Sequence, residues 1–222
     1  MLLLLAACQE NPNNLKSTIA PNVTNEENNP SAAALHYNQL ADSFLKKKDL
    51  ASAATNIQAS ITYAKKANNT FLLARGYILY GIIKTQQGDP IGAKENYLSA
   101  LTIGEQQHLQ SILGQAYGGL GITYLTLGEY TTAEENFQKA LVIAKENKNL
   151  REQLSIYLAL LKIYGTVQVD MPKACNTMSA MLHIVDGVQT DDQTRAAFSS
   201  KIEAFRNVYN SKCTNLKGPL TK

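Results

Sequence analysis

The sequence predicts an all-α fold, a stack of about four helical hairpins closed by one further helix. Three observations predict it. Between residues 34 and 187 the chain repeats itself every forty residues, most plainly in Tyr37, Tyr77, Tyr117 and Tyr157. Inside each copy, apolar residues recur at three- and four-residue spacing on either side of a turn signal, the signature of two amphipathic helices. The composition also permits a buried core: 45% of the 222 residues are hydrophobic and 18% are charged, a balance that disordered chains do not show.

The first thirty residues are expected to lie outside this body. Leu5-Ala6-Ala7-Cys8 resembles a bacterial lipobox, whose cysteine is acylated and becomes the first residue of an exported lipoprotein. The resemblance implies that residues 1–7 are a truncated lipoprotein signal and that Cys8 carries a lipid anchor to a membrane. The leader departs from the pattern: it has no Lys or Arg, and its apolar run falls short of the usual length of about 7–15 residues. Read without the resemblance, it is a chance leucine run. Residues 8–30 are rich in Asn, with Pro12, Pro21 and Pro30. They bury too little apolar surface to offset their ordering entropy, which predicts a flexible tether. The expected location is the bacterial cell envelope, facing the periplasm. Gln9 after the cysteine suits outer-membrane sorting, and the cytoplasm is the alternative if the leader is not a signal. No run of about 18 apolar residues is present to span a membrane as a helix.

The repeats are expected at about 34–73, 74–113, 114–149 and 150–187, within an array over 31–213. In the third copy Tyr117, Leu120, Gly121 and Tyr124 form the stripe of a first helix, and Tyr130, Ala133, Phe137, Ala140 and Leu141 that of a second. Gly128 ends the first helix by taking up the left-handed conformation, as does Gly88 in the second copy, where Pro90 then opens the next helix. Small residues share columns forty apart: Ala41, Gly81 and Gly121, then Ala53, Ala93 and Ala133. They predict close helix contacts, in the third copy at Gly121 and Ala133, with Tyr117, Tyr124 and Phe137 filling the space around them. The fourth copy keeps Tyr157, Leu160 and Tyr164 but loses the glycine turn. Its second helix is shifted by one residue, with Ala174, Met178, Met181 and Leu182 on the buried stripe. A capping helix is expected over about 191–210, opened by Thr190 or Asp191, burying Ala197, Phe198, Ile202, Phe205 and Tyr209. Residues 214–222 read as a loose tail.

This alternation of tyrosines, small residues and glycine turns resembles the tetratricopeptide repeat. The resemblance is fullest in the copies at 74–113 and 114–149. The family's usual first-helix tryptophan is tyrosine here, and the period is forty instead of the commoner 34, which implies longer helices or longer joins. The resemblance implies a right-handed superhelix whose first helices line a concave face that binds a partner's peptide or helix. On this chain those positions are Asn38 and Asp42, then Arg75, Ile78, Ile82 and Gln86, then Gln115 and Ile122, then Leu158 and Lys162. Asp42 and Ile82 stand where the family's carboxylate clamp has asparagines, so capture of a free C-terminus is not expected. Glu134 is expected on the exposed convex side.

The chain is thus expected to be a non-catalytic interaction scaffold, similar to repeat lipoproteins that help assemble envelope machinery. A peptide-sensing regulatory module is the alternative. No catalytic or metal-binding constellation is read: His36, His108 and His183 fall at unrelated repeat positions, and no cofactor is expected. A net charge of +3 without a basic stripe gives nucleic-acid binding no support. Cys175 and Cys213 read either as a disulfide fixing the cap to the last hairpin or as two free thiols.

Overall fold

The computed structural model describes residues 28–186, 192–209 and 212–213. The expected signal remnant, Cys8, all but the end of the tether, Thr190, Asp191 and the tail fall outside these. The described residues are helical, with no strand among them. Seven helices run α1 Pro30–Lys46, α2 Leu50–Lys66, α3 Thr70–Gln86, α4 Pro90–Gln106, α5 Gln110–Leu127, α6 Tyr130–Glu146 and α7 Leu150–Lys162. A π-helical turn, Ile163–Val167, extends α7, and α8 Met171–Val185 and α9 Asp192–Tyr209 follow. Consecutive helices pack as antiparallel neighbours, and α3 also touches α1 on one side and α5 on the other.

The joins explain the regularity. Helices begin at 30, 50, 70, 90, 110, 130 and 150, so the unit is twenty residues, helix plus turn, and the forty-residue period is two of them. Each of the six joins from α1 to α7 carries one left-handed residue: Lys48, Asn68, Gly88, His108, Gly128 and Lys148, with φ between 51° and 78°. The residue after each sends its N–H back five residues, as Asp49 does to Phe44 O at 3.0 Å and Glu129 to Tyr124 O at 2.9 Å. That bond satisfies a carbonyl the ending helix leaves free. The same residue opens the next helix. Asp49, Asn69, Asp89 and Asn149 accept hydrogen bonds from the N–H groups of Ser52, Leu72, Gly92 and Glu152, which closes the N-terminus.

Asn29 caps α1 in the same way, and Pro30 stands at its first helical position. The folded body therefore starts inside the segment expected to be tether, because Asn29-Pro30 repeats the cap and proline of Asp89-Pro90. The hairpins likewise begin about four residues before the expected repeat limits of 34, 74 and 114, since the first helical turn carries few of the aligned residues.

Close contacts fall at the small residues. A Cβ on Gly81 would lie 2.7 Å from the Tyr97 ring, and one on Gly121 would lie 2.6 Å from the Phe137 ring. Ala53, Ala93 and Ala133 are fully buried beside them. The fourth copy departs from the period because the π-helical turn takes up one additional residue. The left-handed residue becomes Val169 and the cap Asp170, which is the predicted one-residue shift. Ala174, Met178, Met181 and Leu182 are buried as expected, and α9 lays Phe198 and Ile202 against them. Ala197, expected on that stripe, is exposed; Thr194 is buried in its place. Cys175 and Cys213 are disulfide-bonded, with Cα atoms 5.6 Å apart, so the chain beyond α9 returns to α8.

Candidate binding groove

The first helices α3, α5 and α7 each contribute a face to one hollow. On α5 its residues are Gln115, Gly118, Gly119 and Ile122, and on α7 Glu152, Ser155, Ile156 and Ala159, each set at i, i+3, i+4 and i+7. With Ile78 and Ile82 of α3, and Phe137 below, they enclose an open hollow of about 240 Å³. Its floor is apolar. Ile122 stands 48% exposed at its centre, while Gly118 leaves open space, since a Cβ there would meet nothing within 4 Å. Gly119, one residue on, is closed by the Tyr97 ring.

Of the residues expected to form the groove, Ile78, Ile82, Gln115 and Ile122 come together here. The others do not line it. Asn38 is fully buried: its Nδ2 donates to Ser60 Oγ at 2.6 Å, and Ser60 donates to Ala34 O at 2.8 Å. It is thus a polar core residue of the first hairpin, placed where Ile78 stands in the second. Asp42 pairs with Lys46 at 2.8 Å, and Leu158 packs against the C-terminal core. Arg75 is half-buried, while Gln86 and Lys162 are exposed. The groove residues missed by the expectation, Glu152, Ile156 and Ala159 on α7 together with Phe137, carry the same spacing as those on α5. The forty-residue register pairs the α5 set with Ser155, Leu158, Ala159 and Lys162, so it finds Ala159 but not Glu152 or Ile156, because the α7 face in the hollow lies about one turn earlier.

Glu152 is the only charged side chain among the lining residues. Burial pushes its carboxyl up from the ordinary range, opposed by a hydrogen bond from Asn149 at 2.9 Å. A second hollow, about 470 Å³, lies on the first hairpin between Tyr37, Phe44 and the small residues of α2; no sequence signal marked it.

Glu134, expected on the convex surface, is nearly buried. Its Oε1 accepts hydrogen bonds from Lys173 Nζ at 2.9 Å, Tyr164 OH at 3.0 Å and Gln138 Nε2 at 3.2 Å. Burial raises the carboxyl, but Lys173, Tyr164 and Gln168 outweigh it and hold it below its usual value. The network ties α6 to the turn after α7 and to α8, which the shifted fourth hairpin brings over it. The histidines have no such surroundings: His36, His108 and His183 are exposed, and His108 serves as a left-handed turn residue. Among the described residues no cluster of His, Cys, Asp and Glu is arranged to hold a metal, and no helix is long and apolar enough to cross a membrane.

Comparison with known proteins gives the fold a context. No curated protein matches the chain. The crystal structure of BtubC (BKLC) from P. vanneervenii is similar over 90% of this chain and 91% of that one, with a TM-score of 0.66 and 18% identity. At that identity the likeness is one of fold. Residues 72–146, from the first turn of α3 to the end of α6, match the family model of the tetratricopeptide repeat.

Proposed function

We propose that this chain is a non-catalytic scaffold that holds an apolar segment of a protein partner in the groove between α3, α5 and α7. The observation that carries the reading is the hollow itself. An exposed isoleucine and an uncovered glycine sit at the centre of an apolar floor, whereas large apolar side chains on a solvated surface are ordinarily scattered. A pre-formed, mostly apolar cleft with few polar groups is what a bound side chain or short helix requires.

The scaffold is proposed to work in the bacterial cell envelope, anchored through lipid on Cys8. Two features support this location: the lipobox-like Leu5–Cys8 and the Cys175–Cys213 disulfide, since disulfides persist in oxidising compartments.

Photo-crosslinking in cells tests the groove. A photoreactive residue at Ile82 or Ile122 is expected to capture one protein that the same residue at Glu135, exposed on α6, does not. Equal capture from all three positions would rule the groove out. Metabolic labelling with an alkyne fatty acid tests the anchor: label is expected on the wild type and absent from Cys8→Ser. An unlabelled wild type would remove the envelope from the proposal.

A further inference from the structure

Glu152 occupies a place that the two preceding hairpins give to their core. Its forty-residue counterparts, Leu72 and Ile112, are 6% and 1% exposed and pack between helices. In α7 that column carries a carboxylate instead, which is half-buried on the groove wall. Its Oε1 would lie 3.6 Å from a Cβ on Gly114, so it lies close over α5. Its side-chain bond is to Asn149, a neutral amide that already caps α7. Among the described residues Glu152 forms no ion pair, although Asp42, Asp89 and Glu134 each have a lysine.

A carboxylate partly removed from water, beside an apolar floor and without a cation, is an incomplete arrangement. A ligand that brings a positive charge completes it, and one that brings a negative charge is rejected. We infer that the groove selects a partner segment in which a bulky apolar anchor is flanked by a lysine or arginine, the anchor entering over Gly118 and Ile122 and the cation pairing with Glu152. The inference rests on the groove reading and adds the chemistry of the partner. The raised carboxyl of Glu152 agrees with it, because a bound cation would return that group to its ionised form.

A display library of random 16-residue peptides, selected on the immobilised full chain and counter-selected on Ile122→Asp, tests both steps. The selected sequences should share an apolar residue and a Lys or Arg at constant spacing. Measured by fluorescence anisotropy, changing that basic residue to Glu should weaken binding by about tenfold, as expected for one partly desolvated charge pair. Glu152→Gln should remove most of that preference, and Glu152→Lys should reverse it; a gain of binding to acidic peptides cannot come from misfolding. Peptides that need Ile122 but show no basic preference, or that bind Glu152→Gln as well as wild type, would overturn the inference and leave the groove standing. Failure to obtain any peptide that distinguishes wild type from Ile122→Asp would sink the groove reading, and this one with it.

Discussion

Left-handed backbone at each join is where single residues matter most. The conformation costs an L-residue about 1–2 kcal/mol relative to glycine, yet only Gly88 and Gly128 meet it with glycine. Val169 is the least suited, being β-branched and 66% exposed. Val169→Gly is expected to stabilise the chain by about 1 kcal/mol, and His108→Gly by about 0.5–1 kcal/mol, after the entropy glycine loses on folding; urea denaturation measures both. A lower midpoint for Val169→Gly would mean that its side chain does more than turn the chain. These positions also mark what the sequence left hidden. Gly88 and Gly128 were readable as turns. Lys48 was too, by its alignment with them, but Asn68, His108 and Lys148 were not, because a backbone bond to the preceding helix, not a residue type, sustains the conformation there. That is why a twenty-residue unit read as forty. Asn38 was illegible for a similar reason, since its partner Ser60 lies on the facing helix.

At the level of the helix, two adjacent glycines of α5 should behave in opposite ways. Gly118→Ala gains helix propensity and meets empty space, so it should stabilise by about 0.5–1 kcal/mol. Gly119→Ala drives a methyl into the Tyr97 ring and should destabilise by about 1–3 kcal/mol. Thermal unfolding of the pair checks this, and equal shifts would contradict the packing described. The Glu134 network governs how α6 meets α8. Its carboxyl lies below its usual value of 4.5 when folded, so its contribution is full above that pH and is lost as pH falls through the lower folded value. Glu134→Gln should destabilise at neutral pH by about 1–3 kcal/mol, the cost of leaving buried partners unsatisfied. It should also lose part of the acid dependence seen in wild type between about pH 4.5 and lower values, which urea titrations across that range would show. Sequence reasoning placed Glu134 outside because the periodic stripe of α6 turns it from the second-helix core. Only the shifted fourth hairpin covers it.

Across the whole molecule, stability follows neighbours, as in other repeat arrays. The Cys175–Cys213 disulfide spans 38 residues of sequence, and closing such a loop is worth about 3–4 kcal/mol in the chain-entropy view. Reduction, or Cys213→Ser, should therefore loosen α9 and α8 while leaving α2 to α6 intact. Hydrogen exchange should show protection lost only at the C-terminal end; loss throughout would mean that the cap supports the entire stack. The hairpin stack itself was legible because burial repeats at fixed spacing in Tyr97, Phe137, the alanines and the glycines. Of the ten residues expected in the groove, four, Ile78, Ile82, Gln115 and Ile122, line the hollow. The remainder depended on which copies face each other, which a column of residues does not reveal.

One feature of the joins bears on how such a chain can grow. Because the six turns from α1 to α7 share one backbone pattern, a twenty-residue segment inserted at any of them would find a ready start and stop. Its effect on the surface would depend on parity. An even number of added helices lengthens the channel, whereas an odd number turns every later helix inside out, sending lining side chains to the rim. Selection for a continuous channel would therefore admit new helices only in pairs, although the backbone itself would accept them singly.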